Sequence, residues 1–188
     1  MNIGIAADGI FGRDIIRNRT ANLAIGCAVF VVLMVLGAYV RIPLFFTPVP
    51  ITLQTFFVLL SGALLGRKWG AISQAAYLSI GAFGLPVFQG YGSGASHIFG
   101  PTGGYLFGFI AASYVAGLLI GPDNRKAQLK IAASMAASLA VIYTFGVIWL
   151  KLFLGVSFSA ALVMGLYPFL PGAAIKLIAA SYVYNFTR

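Results

Sequence analysis

An ammonium group inside an apolar run is the most constrained piece of chemistry in this chain. Lys176 stands about a turn and a half into residues 171–185, a stretch apolar enough to lie in a membrane. Facing lipid there would be costly. Two environments relieve that cost: an anionic ligand held against the lysine, or a stem that snorkels its charge to the outer headgroups. The second unusual feature is residues 84–105, GLPVFQGYGSGASHIFGPTGGY, with seven glycines, two prolines and no formal charge. Glycine admits close approach of backbone amides and dihedrals closed to other residues. Such an uncharged segment can line a cavity at membrane depth and order over a ligand as a lid, or it can be a flexible connector.

Other chemistry is scarce. The one histidine, His97, has no acidic residue near it and no second metal ligand at helical spacing, so it reads as a polar loop residue and not as a catalytic one. GALLGRKW, beginning at Gly62, lacks the glycine spacing and the Gly-Lys-Ser/Thr ending of a phosphate loop. GYGSG follows no soluble strand and opens no helix with the third glycine of a dinucleotide site. Cys27 stands alone, which excludes a disulfide within the chain. Gln54 and Gln74 are polar groups in apolar runs, and bridging between helices is the reading preferred over substrate contact. An enzyme is not expected.

The elements that must position these groups follow from composition. Of 188 residues, 61% are hydrophobic and 8% charged, with a mean hydropathy of +0.99, outside the range of soluble domains. A single all-α transmembrane domain over 1–188 is expected. Its six spans fall at 21–40, 52–65, 69–83, 103–120, 127–150 and 171–185. The second and third are short, and the Gly66-Arg67-Lys68 turn makes them a hairpin, because its two cations fit poorly in hydrocarbon.

Arg13, Arg17, Arg19, Arg67, Lys68, Arg125, Lys126, Lys130 and Arg188 fall on one side of that topology, against Arg41 and Lys151 on the other. The positive-inside rule then puts both termini in the cytoplasm and residues 84–102 outside. It also accounts for the net charge of +9 without nucleic acid. Asp8, Asp14 and Asp123, the only acids, lie in the 1–20 tail and a cytoplasmic turn. No carboxylate inside a span is available to carry a coupling ion. Small residues four apart, at Ala24/Ala28, Gly62/Gly66, Ala112/Ala116, Gly117/Gly121 and Ala133/Ala137, are expected to pack helices closely.

From residue 41 to 109, and again in the last span, the patterns become specific: RIPL, TPVPITLQTFFVLLSGALLG, YLSIGAFGLPVF, GPTGGYLFGF and YPFLPGAAIK. In this order and spacing they resemble the BioY family, the biotin-binding S components of energy-coupling-factor (ECF) transporters of prokaryotic cytoplasmic membranes. The resemblance implies a six-helix protein that captures biotin from outside, with no cofactor, and is energised by a transmembrane T component and two ATPases on other chains; solitary members have also been proposed.

It further implies that Lys176 meets the biotin carboxylate and that Gln89 is a ligand-binding amide, whose plainer reading is a solvated loop residue. Thr102, Gly103 and Tyr105 of GPTGGY are further binding candidates, although close helix packing explains those glycines equally well. Ala24 and Ala28 stand where S components carry an Ala-xxx-Ala docking pattern. Ala173 departs from the pattern, since many members have aspartate there, and Gln89, Thr102, Tyr105 or backbone carbonyls would then have to recognise the ureido group. The rival readings are a stand-alone facilitator of another carboxylated vitamin and a non-transporting membrane scaffold.

Overall fold

The structure, a computed structural model, describes residues 19–121 and 127–187. Asp8, Asp14, Asp123 and most of the 1–20 tail lie outside the described residues, as do Arg125, Lys126 and Arg188. Helix α1 (Arg19–Tyr39) is followed by two short strands, β1 (Arg41–Ile42) and β2 (Ile51–Thr52), which pair antiparallel with Arg41 opposite Thr52. Then come α2 (Gln54–Ala82), the small α3 (Gly94–Ile98), α4 (Gly103–Ile120), α5 (Gln128–Leu154), α6 (Phe158–Gly165) and α7 (Leu170–Thr187).

The expected hairpin is present inside α2. Gly66 takes φ 78° and ψ 172°, a left-handed backbone region that glycine enters without the steric cost paid by other residues, and the helix breaks there into arms 54–65 and 67–82. The arms run back along each other: a Cβ on Gly70 would lie 2.8 Å from the Cα of Gly62, and Gln54 reaches Tyr77. With α1, α4, α5 and α7 they make six membrane helices. Among the described residues, four segments are long and apolar enough to cross a membrane unaided, at Arg19–Tyr39, Gly103–Ile120, Gln128–Leu154 and Phe158–Thr187. The α2 arms are shorter because they need not face lipid along their length. The first buries Val58, Leu59, Leu60, Ser61, Gly62, Ala63 and Leu64 in succession, enclosed by protein.

Close backbone approach organises the centre, where α4 lies between α2 and α5. A Cβ on Gly62 would collide with the Ser113 carbonyl oxygen and stand 2.9 Å from the Ala116 methyl. Ser61 and Ser113 hydroxyls then meet at 2.9 Å, and the Gln74 amide donates to Ser61 at 2.9 Å, so Gln74 bridges helices as expected. Of the small-residue pairs, Ala112 and Ala116 are fully buried in this packing, whereas Ala24/Ala28 and Ala133/Ala137 face outward.

Sequence patterning assigns no span to residues 151–170, yet α6 and a 3-10 turn (Tyr167–Phe169) lie there. The Ser157 hydroxyl caps α6 by accepting from the Ala160 amide, and the Tyr105 hydroxyl donates to the Gly165 carbonyl at 2.7 Å, tying α6 back to α4. The turns joining α1 to α2, the two segments around α3, and the α5–α7 connection all gather at one end of the bundle. Tyr39 donates to Pro86 and Trp149 to Gly100 across that end.

Candidate functional site

At this end lies a largely apolar cavity, lined from α2, α4, α5, α7 and the glycine-rich segment. Lys176 on α7 reaches it and donates to the Thr52 carbonyl at 2.9 Å, an acceptor exposed by the β1–β2 turn. An ammonium carries three donors, and no carboxylate exists among the described residues to neutralise it. The lysine is half-buried and lines the cavity.

The glycine-rich segment forms part of the wall. Gln89 and His97 come from it, and Thr102 from its end, just before α4. The segment is seated on α1 and β1. Tyr39 packs on Tyr91 with ring centroids 4.7 Å apart, and an Arg41 guanidinium N–H donates to Gln89 Oε1 at 3.4 Å. From below, the Tyr77 hydroxyl donates to the Val87 carbonyl at 3.0 Å while accepting from the Gln54 amide at 2.9 Å. Gln54 therefore bridges helices and also lines the cavity. Phe88 is completely buried, its ring filling the space that a side chain at Gly81 would occupy.

The sequence candidates divide. Lys176, Gln89, Thr102 and Tyr105 converge on this one cavity. Tyr105 brings its ring but has its hydroxyl engaged by Gly165. Gly103 is not on the wall. Its missing side chain is required by packing, since a Cβ there would collide with the Ile98 carbonyl oxygen and lie 3.2 Å from the Trp149 ring. Ala173 is buried and lines a neighbouring apolar groove among α5, α6 and α7, sharing only Tyr143 with the Lys176 cavity.

Several wall residues were not assigned to the site from the sequence, among them Thr55, Phe109 and His97. Thr55 and Phe109 have helical positions indistinguishable from packing, and His97 lacks any local partner that would mark it. His97 stacks on Phe88, centroids 4.8 Å apart and planes 13° from parallel, and burial lowers its pKa below the ordinary 6.5. The imidazole is thus neutral near pH 7. No group of His, Cys, Asp or Glu able to hold a metal occurs among the described residues.

Comparison with known proteins agrees with this architecture. The BioY family profile matches residues 13–188. This chain belongs to the BioY family. Among its relatives, the biotin transporter BioY of Thermotoga maritima is 42% identical over 85% of this chain and 91% of its own. The probable biotin transporter BioY of Pyrococcus horikoshii is 40% identical over 81% and 88%. A crystal structure of the S-component for biotin from an ECF-type ABC transporter superposes with a TM-score of 0.82 at 26% identity, covering 91% of this chain and 93% of the other. Membership gives a membrane transport protein of the S-component fold and not an enzyme.

Proposed function

We propose that this BioY-family chain captures biotin for uptake across the cytoplasmic membrane as the S component of an ECF-type transporter. The observation that carries the reading is the Lys176 ammonium, on the wall of a largely apolar cavity with only a backbone carbonyl as partner. A carboxylate entering this site supplies the missing anion, and the apolar walls of Val49, Leu106, Phe109 and Phe169 suit a thioether and bicyclic body. Gln89 and Thr102 add hydrogen-bonding groups near the mouth. Residues 84–102 act as the lid, held by Tyr39 and Arg41 and able to reorder around the ligand.

Charge distribution supports one orientation. Arg19, Arg67, Lys68 and Lys130 lie at the end opposite the cavity, so that end and both termini are cytoplasmic and the site opens outward. Chemical energy comes from a transmembrane T component and two ATPases, met through the outward face of α1 that carries Ala24 and Ala28. The test is a titration of the detergent-purified chain with biotin. Saturable binding that raises thermal stability supports the reading. Stabilisation only by another vitamin carboxylate favours a facilitator of different specificity, and none by any carboxylate favours a scaffold.

A further inference from the structure

Two buried polar atoms on the cavity wall have no hydrogen-bond partner, His97 Nε2 and Thr55 Oγ1. An unpaired buried donor or acceptor is unfavourable, and native structures rarely retain one without a use. Among the other polar groups of the wall, Gln54 is engaged by Thr52 and Tyr77, Tyr105 by Gly165 and Gln89 Oε1 by Arg41, while the Thr102 and Tyr143 hydroxyls bond to no protein group among the described residues.

His97 is also held in a fixed orientation. One face lies on Phe88, which stands edge-on to Tyr77 with centroids 5.5 Å apart. Its Nδ1 edge abuts Gly92, where a side chain would collide with the ring. Clamped on a face and an edge, the imidazole keeps Nε2 as its buried, unpaired polar atom on a residue of the cavity wall. A pre-oriented partner of this kind loses little freedom when it binds, which favours its use in recognition.

We infer that His97 is a specificity-determining residue, whose Nε2 hydrogen-bonds to the ureido group of the ligand while Lys176 takes the carboxylate. This rests on the biotin reading above and adds a partner that no sequence pattern supplied. A ureido group offers one carbonyl acceptor and two N–H donors, so a neutral imidazole is complementary to it in either tautomer. With Ala173 lining a different groove, the polar end of the ligand is read from the glycine-rich segment.

The test compares the purified wild-type chain with His97→Gln, His97→Asn and His97→Phe, titrated with biotin and with its imino analogue, in which the ureido oxygen is replaced by nitrogen. Glutamine places an amide where Nε2 lies, asparagine where Nδ1 lies, and phenylalanine keeps only the stack. Weakening by about ten- to hundred-fold is expected for Phe and Asn, and recovery to within about threefold of wild type for Gln. The preference of the wild type between biotin and the imino analogue should also shrink in His97→Phe.

Equal biotin affinity in wild type and a folded His97→Phe overturns this inference and leaves the biotin reading standing. A wild type that binds no biotin overturns both. Should His97→Phe fail to fold, the Gln and Asn pair decides, and equal weakening in the two counts against the Nε2 contact.

Discussion

The lysine ammonium and the histidine ring occupy the cavity for different reasons, and their variants should separate them. Lys176→Ala removes the only cation of the wall, so biotin binding should weaken by about thirtyfold or more in a titration, because a desolvated carboxylate is left unpaired. Unfolding temperature without ligand should stay close to wild type, since the residue's only hydrogen bond is to one carbonyl.

His97 gives a pH signature. Its pKa is lowered by burial, and no carboxylate among the described residues opposes that; Phe88 and Gly92 adjoin it, and Lys176 is the one charged group on the shared wall. Protonation is therefore favoured in the unfolded chain, and the folded protein should lose stability as pH falls below 6.5 toward the lowered value. Biotin covers the ring further, so affinity should also fall as pH drops below 6.5, and much less in His97→Gln.

At the level of helices, glycines serve two separable purposes. Gly62→Val should reduce the yield of folded protein and lower its unfolding temperature by several degrees or more, because the new side chain lands on a backbone carbonyl and on Ala116, neither of which can yield. Gly66→Ala meets no neighbour within 4 Å and strains only the backbone at φ 78° and ψ 172°, so a loss of about 1 to 3 kcal/mol by equilibrium unfolding is expected. The hairpin was legible because two cations after a glycine cannot sit in hydrocarbon. The shortness of its arms was not explained until their burial under α1, α4 and α7 was seen. α6 escaped notice because its eight residues, Phe158–Gly165, are too few to read as a span and carry no acid or base to mark their ends.

For the whole molecule the question is how a bundle with no energy source of its own engages one. α1 presents Ala24 and Ala28 outward beside exposed Ile25, Val29, Val32 and Leu36. Replacing both alanines with leucine should leave biotin titrations unchanged while sharply reducing co-purification with a T component. Retention at wild-type yield would refute docking through this face. The cavity lies at the opposite end of α1, beyond Tyr39, so the two surfaces are separable by mutation.

The sequence by itself determined that the chain lives in a membrane, that six helices span it, where its hairpin breaks, and that Lys176 facing lipid would be costly. These follow from local hydropathy and charge, which act over a turn or two of helix. Only the tertiary structure decided which polar groups share a wall. Lys176 and His97 are far apart in the chain and meet through the packing of α7, the β1–β2 turn and the glycine-rich segment. The same packing moved Gly103 from the site into a helix contact and Ala173 into another groove. Convergence of distant side chains depends on helix rotation and on backbones touching at glycine, and neither is written in the spacing of any one segment.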